Sequence, residues 1–155
     1  MPDTPAPTAK ARLSLDSRLT DLALVFPWVD EIAIEYGLSS DTVFAVNLCL
    51  EEALSNIIRH GYKEDPGHPL TVDVSVYDHS TLLFAIEDHA PHFVPPDVAE
   101  SQAVAPPMTI EELPFGGQGL RLMRKFSASL VWQQTPGGNL LTIGFSLASP
   151  SGSAL

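Results

Sequence analysis

Basic residues are scarce in this chain: eight Lys and Arg stand against nineteen Asp and Glu, for a net charge of −11. No basic cluster of the kind that tracks a phosphate backbone is present, which argues against a nucleic-acid partner. Cysteine is almost absent. The single Cys49 excludes an intramolecular disulfide and fits a reducing compartment. Its place within an apolar helical pattern reads as a small buried hydrophobe rather than a nucleophile. Long apolar runs are missing too, so at a mean hydropathy of +0.11 nothing reads as a membrane span. The opening MPDTPAPTAKAR lacks the apolar segment of a signal peptide, so a cytoplasmic location is expected. What is present is 155 residues, 45% of them hydrophobic, which suits one domain with a buried core. Its acidic surface favours solubility and can also steer a basic partner.

Residues 1–9 carry three prolines and no periodicity and are expected to form a disordered tail. The domain is expected over 10–148, with 149–155 a frayed tail. ARLSLDS alternates at Leu13 and Leu15, as a short strand does. A helical pattern from about Ser17 to Tyr36 contains Pro27, which predicts a kink or break there, and Gly37 suits a C-cap. Ser39, Ser40 and Asp41 supply an N-cap for a helix expected to run to about His60 and stop at Gly61. Leu70 to Tyr77 and Leu82 to Glu87 read as a hairpin closed by Asp78, His79 and Ser80. A long proline-rich stretch, 89–115, suits a functional loop such as a lid. A helix from roughly Gly119 to Phe126 follows. The final hairpin pairs Ser129–Gln134 with Asn139–Leu147 across Pro136-Gly137-Gly138. This order predicts an α+β two-layer sandwich, with a mixed, largely antiparallel sheet covered by helices on one face.

Three patches carry chemistry. In EEALSNIIRHGY, Glu52, Asn56 and His60 are spaced four apart and rise along one side of a helix. The Asn56 carbonyl oxygen is a hard ligand suited to Mg²⁺, and Glu52 can accept a proton from an attacking hydroxyl. Glu51 points about 100° away from Glu52, so only Glu52 shares the Asn56 side. Taken alone, this pair also fits a solvated helix face. In LLFAIEDHAPHF, an apolar strand ends on Glu87 and Asp88, where a carboxylate can accept a hydrogen bond from an exocyclic amine such as adenine's; an Asp after a strand also fits a turn. In PFGGQGLRLMRKF, Gly116, Gly117 and Gly119 precede a helix, where glycine permits close backbone approach and positive φ, and exposed N–H groups favour phosphate. A flexible helix entry fits the same glycines.

Together these motifs resemble the GHKL-type ATPase fold, and within it the anti-sigma-factor serine/threonine kinases of bacterial partner switching. The resemblance runs from about Arg12 to Leu147. It rests on Glu52-x-x-x-Asn56 followed by His60-Gly61-Tyr62, on the Gly-Gly-x-Gly-Leu run ending at Leu120, and on Asn139 in the closing Gly-Gly-Asn-Leu-Leu pattern. It implies ATP and Mg²⁺ as cofactors, Glu52 as general base and Asn56 as Mg²⁺ ligand. It further implies Asp88 as the adenine-binding aspartate, with Ala90 beside it, and Gly116, Gly117, Gly119 and Leu120 as the phosphate loop. The implied partners are an anti-anti-sigma protein of the STAS type and a sigma factor, with a homodimer as an assembly common in the family. One departure is clear. Family members often carry Asp-x-Gly-x-Gly, whereas Asp88-His89-Ala90-Pro91-His92 has neither glycine. The Ala90 methyl then either narrows the purine pocket or is absorbed by a small shift. The competing expectation is a non-catalytic binding module on the same fold.

Overall fold

The computed structural model describes residues 11–90 and 117–147. Strand β1, Ala11–Asp16, leads into a 3-10 helix, Leu19–Leu24, and then helix α1, Val25–Tyr36. The single helix expected over 17–36 is therefore two pieces, and the junction falls at Leu24–Val25, ahead of Pro27. Pro27 sits in the first turn of α1, where its missing N–H has no intrahelical acceptor to lose. Gly37 closes α1 in the left-handed conformation at φ 65°. Ser39 caps α2, Ser40–Asn56, by accepting a hydrogen bond from the Thr42 amide.

The second helix does not continue as an α-helix to His60. At Asn56 it passes into a π turn, Ile57–Gly61, and the Tyr62 amide donates to Ile57 O five residues back, at 2.9 Å. Lys63 and Glu64 then adopt left-handed φ values of 55° and 61°, which reverses the chain towards β2.

Strands β2, Pro69–Tyr77, and β3, Thr81–Asp88, form the expected hairpin. Positive φ at both Asp78 and His79, with the Ser80 amide bonded to Tyr77 O at 3.2 Å, makes its turn type I′, matched to strand twist. Helix α3 covers Gly117–Phe126, and β4, Ser129–Thr135, pairs with β5, Gly138–Ser146. The sheet order is β1-β2-β3-β5-β4, and every pair is antiparallel, so no parallel component is present among the described strands.

Alternation decides which face is covered. Leu70, Val72 and Val74 of β2, Leu82, Phe84 and Ile86 of β3, and Ile143 of β5 are fully buried against the helices. Val25, Val29 and Ile32 of α1 and Val46, Leu50 and Leu54 of α2 close the layer from above. Phe84 lies at its centre, edge-on to Trp28 and Phe145 at 5.9 and 5.8 Å. Each such side chain contributes about 1.5–3 kcal/mol through burial. Among the described residues no helix is long and apolar enough to cross a membrane.

Candidate functional site

The alternation that buries Leu82, Phe84 and Ile86 carries on by one more pair to Asp88, which places its carboxylate on the helix-covered face at the end of β3. Only 1% of Asp88 is exposed. Directly opposite in register stands Asn139, the second residue of β5, itself 3% exposed. Asp88 Oδ1 accepts from Asn139 Nδ2 at 2.8 Å and from the Ala90 amide at 2.8 Å. Both of these bonds end on Oδ1 rather than Oδ2. Burial raises the Asp88 pKa, opposed by the hydrogen bonds from Asn139 and Ala90. A buried, partly satisfied carboxylate on an apolar floor suits an exocyclic amine, and this corner fits adenine on the chemistry of its donors and acceptors.

The turn after Asp88 is held from two sides. On one, Asn139 Nδ2 also donates to Ala90 O at 3.3 Å, and His89 Nδ1 lies 3.2 Å from Gly137 O. Gly138 packs so closely here that a Cβ would stand 1.9 Å from Asp88 O and 2.7 Å from His89 Cα. Glycine is therefore required at 138 by close approach, not by φ. On the other side, Tyr62 Oη accepts from the His89 amide at 2.6 Å. Ala90 is buried and is not among the residues with positive φ, so its backbone does not demand glycine. Its methyl is absorbed into the core.

Glu52 and Asn56 lie one turn apart on α2, both half-buried, while Glu51 is exposed. His60 does not extend their row, because the π turn between Asn56 and His60 breaks the α-helical phase. Burial, then the charges of Arg59 and Lys63, hold the His60 imidazole below its ordinary pKa. Cys49, one turn before Ala53, is fully buried, with its thiol pushed up to about 12 by burial and then by the Glu52 charge. Its Sγ faces Met123 O at 3.9 Å, which joins α2 to α3.

Gly117, Gly119 and Leu120 lie in the first turn of α3. Both glycines fall within the helix itself rather than ahead of it. The first four amides of a helix lack intrahelical acceptors, and two of these positions carry no side chain. Gly116 and nearly all of the expected lid, 89–115, lie outside the described residues.

Asp88, Ala90, Asn139 and Tyr62 thus form one hydrogen-bonded unit, and Glu52 and Asn56 form a second group on α2. Among the described residues no hydrogen bond joins the two. Among the described residues no cluster of three His, Cys, Asp or Glu able to hold a metal occurs. Sequence reasoning did not assign Asn139, Tyr62 or Gly138 a role. The Pro-Gly-Gly-Asn turn was the available signal for two of them.

A family model described as the histidine kinase-like ATPase domain matches residues 15–145. The chain is 33% identical over 119 residues to the serine/threonine-protein kinase BtrW of Bordetella bronchiseptica, covering 75% of this chain and 79% of that protein. It is 29% identical over 96 residues to the serine-protein kinase RsbW of Bacillus licheniformis, covering 59% and 58% respectively. The histidine kinase domain of the Erythrobacter litoralis EL346 blue-light activated histidine kinase shares the fold at TM-score 0.52 and 17% identity, over 94% of this chain and 66% of that one.

Proposed function

The chain belongs to the histidine kinase-like ATPase domain family, and on that premise we propose that it is an ATP-dependent protein serine/threonine kinase of the anti-sigma type. Its substrate is a serine or threonine hydroxyl on an anti-anti-sigma protein, and it also holds a sigma factor. The observation that carries the nucleotide reading is the buried Asp88, whose Oδ1 accepts from Asn139 and Ala90; we assign its Oδ2 to adenine's amine. The names of the two kinase relatives support the protein-kinase reading.

In this reading Asp88 orients the base and the first-turn amides of α3 receive phosphate oxygens. Asn56 offers its carbonyl oxygen to Mg²⁺, which supplies charge neutralisation at the phosphates when bound. Glu52 takes the proton of the substrate hydroxyl as that oxygen attacks the γ-phosphorus, and the bond to ADP breaks. The test is phosphate transfer from ATP to a STAS-type antagonist, compared with Glu52→Ala; equal transfer by both proteins rules out Glu52 as the base.

A second reading, a binding module without catalysis, draws on the absence of glycine after Asp88. The ordinary φ of Ala90 weakens it, since no glycine backbone is needed there. Calorimetry separates the two readings: the kinase binds Mg-ATP, whereas a module that has lost its site shows no heat at millimolar nucleotide.

A further inference from the structure

We infer that Tyr62 is a positioning residue for the nucleotide: its hydroxyl sets the turn that carries Asp88 against the end of the helix that carries Glu52 and Asn56. This rests on the nucleotide reading of the Asp88 corner. The side chain is buried, 6% exposed, and its hydroxyl is used in both directions. It accepts from the His89 amide at 2.6 Å and donates to Pro69 O at 3.4 Å. His89 lies between Asp88, which offers the acceptor oxygen, and Ala90, whose amide holds Oδ1. Fixing its amide therefore fixes the peptide units on both sides.

Tyr62 is itself held at each end. Its amide closes the π turn onto Ile57 O, so the ring moves with the end of α2. Its ring stacks on His68 at 4.7 Å and an interplanar angle of 5°. His68 Nε2 lies 2.8 Å from Asp65 Oδ2. The buried Ser17 Oγ donates to Asp65 O at 2.5 Å and accepts from the His68 amide at 3.1 Å, tying the loop to the end of β1. The π turn thus ends on the residue whose hydroxyl reaches the turn after β3. A turn without glycine is in this way held by side chains, Asn139 on one flank and Tyr62 on the other. Placement errors near 1 Å are enough to weaken a directional hydrogen bond to a base.

Tyr62→Phe keeps the ring and its stacking and deletes only the hydroxyl. Three readouts test it: hydrogen exchange at the His89 amide, Mg-ATP affinity by calorimetry, and KM against kcat for ATP. The expected result is faster exchange at His89, an affinity loss of about tenfold, and a loss that falls on KM rather than kcat. Tyr77→Phe, at the exposed far end of β2, moves none of them. Unchanged exchange at His89 overturns the hydrogen bond itself. Faster exchange with unchanged affinity overturns the positioning role, because the bond then serves only the fold. If the wild-type protein binds no Mg-ATP while His89 exchange still responds, the nucleotide reading fails and takes this inference with it.

Discussion

The Asp88 corner and the Glu52–Asn56 face of α2 differ in how they are held. Asp88 is buried, opposed in register by Asn139 and enclosed by Tyr62, Ala90 and Gly138. Glu52 and Asn56 are only half-buried on their helix face. In the proposed kinase reading, the contrast is between a recognition group that must not move and groups that must reach incoming phosphates and a protein hydroxyl. Preorganised burial suits the first, and open access suits the second. It follows that the α2 face can be altered without cost to the fold, whereas a change at the Asp88 corner that disturbs its packing affects fold and binding together.

The largest effect is expected at the open face. Glu52→Ala should lower phosphate transfer by roughly 10²–10⁴-fold while leaving the Mg-ATP affinity within about twofold and the thermal midpoint unchanged, read by radiolabel transfer, calorimetry and scanning calorimetry. A large fall in ATP affinity would show that Glu52 belongs to the binding unit and would break the comparison.

Asp88→Asn comes next. The amide oxygen can keep the bonds from Asn139 and Ala90, but an N–H₂ replaces the Oδ2 acceptor and faces another donor. Mg-ATP affinity should fall about a hundredfold, with no loss of thermal stability in the absence of nucleotide. The pH dependence sharpens this. Burial holds the Asp88 carboxyl above its ordinary 3.8. A group with a raised folded pKa contributes its stabilisation below the unfolded value and loses it as pH rises through the folded value. The wild-type midpoint should therefore drop relative to Asp88→Asn as pH rises from the ordinary carboxylate value, and the gap should level off above the raised one. A gap that is flat throughout would mean that Asp88 ionises as freely as in the unfolded chain.

Gly138→Ala should be smaller in function and visible in stability. Its methyl would overlap Asp88 O, so the β4–β5 turn must shift. Urea titration should show a loss of about 1–3 kcal/mol, accompanied by weaker ATP binding because Asp88 shifts with its neighbour. The smallest effect is expected for Arg12→Ala on edge strand β1. Arg12 pairs with Asp73 at 2.6 Å, but its side chain is largely exposed. Neither the thermal midpoint nor ATP affinity should move measurably, as for most exposed ion pairs.

Much of the fold was legible in the chain because it is written in local periodicity. The alternation of Leu70, Val72 and Val74, the Gly37 cap and the Ser39 cap all depend on neighbours a few residues away. Two local features were not legible. The 3-10 helix before Val25 and the π turn after Asn56 both keep roughly helical apolar spacing, so a periodic pattern does not distinguish them from continuous helix. At the site, Glu52, Asn56 and Asp88 stood out by residue type and spacing. Asn139 and Tyr62 stood out only as members of the family's motifs, without a role, since an Asn after two glycines or a Tyr after a helix has many uses.

The sequence by itself determined the order of elements, the apolar face of each strand, and that a carboxylate follows the apolar residues of β3. Only the tertiary structure decided that this carboxylate is buried, that it meets Asn139 across the sheet 51 positions along the chain, and that Tyr62 holds the turn beside it. The reason is physical. Burial and hydrogen-bond pairing are properties of register and packing between distant segments, which no local pattern specifies, whereas periodicity and capping are settled within a few residues.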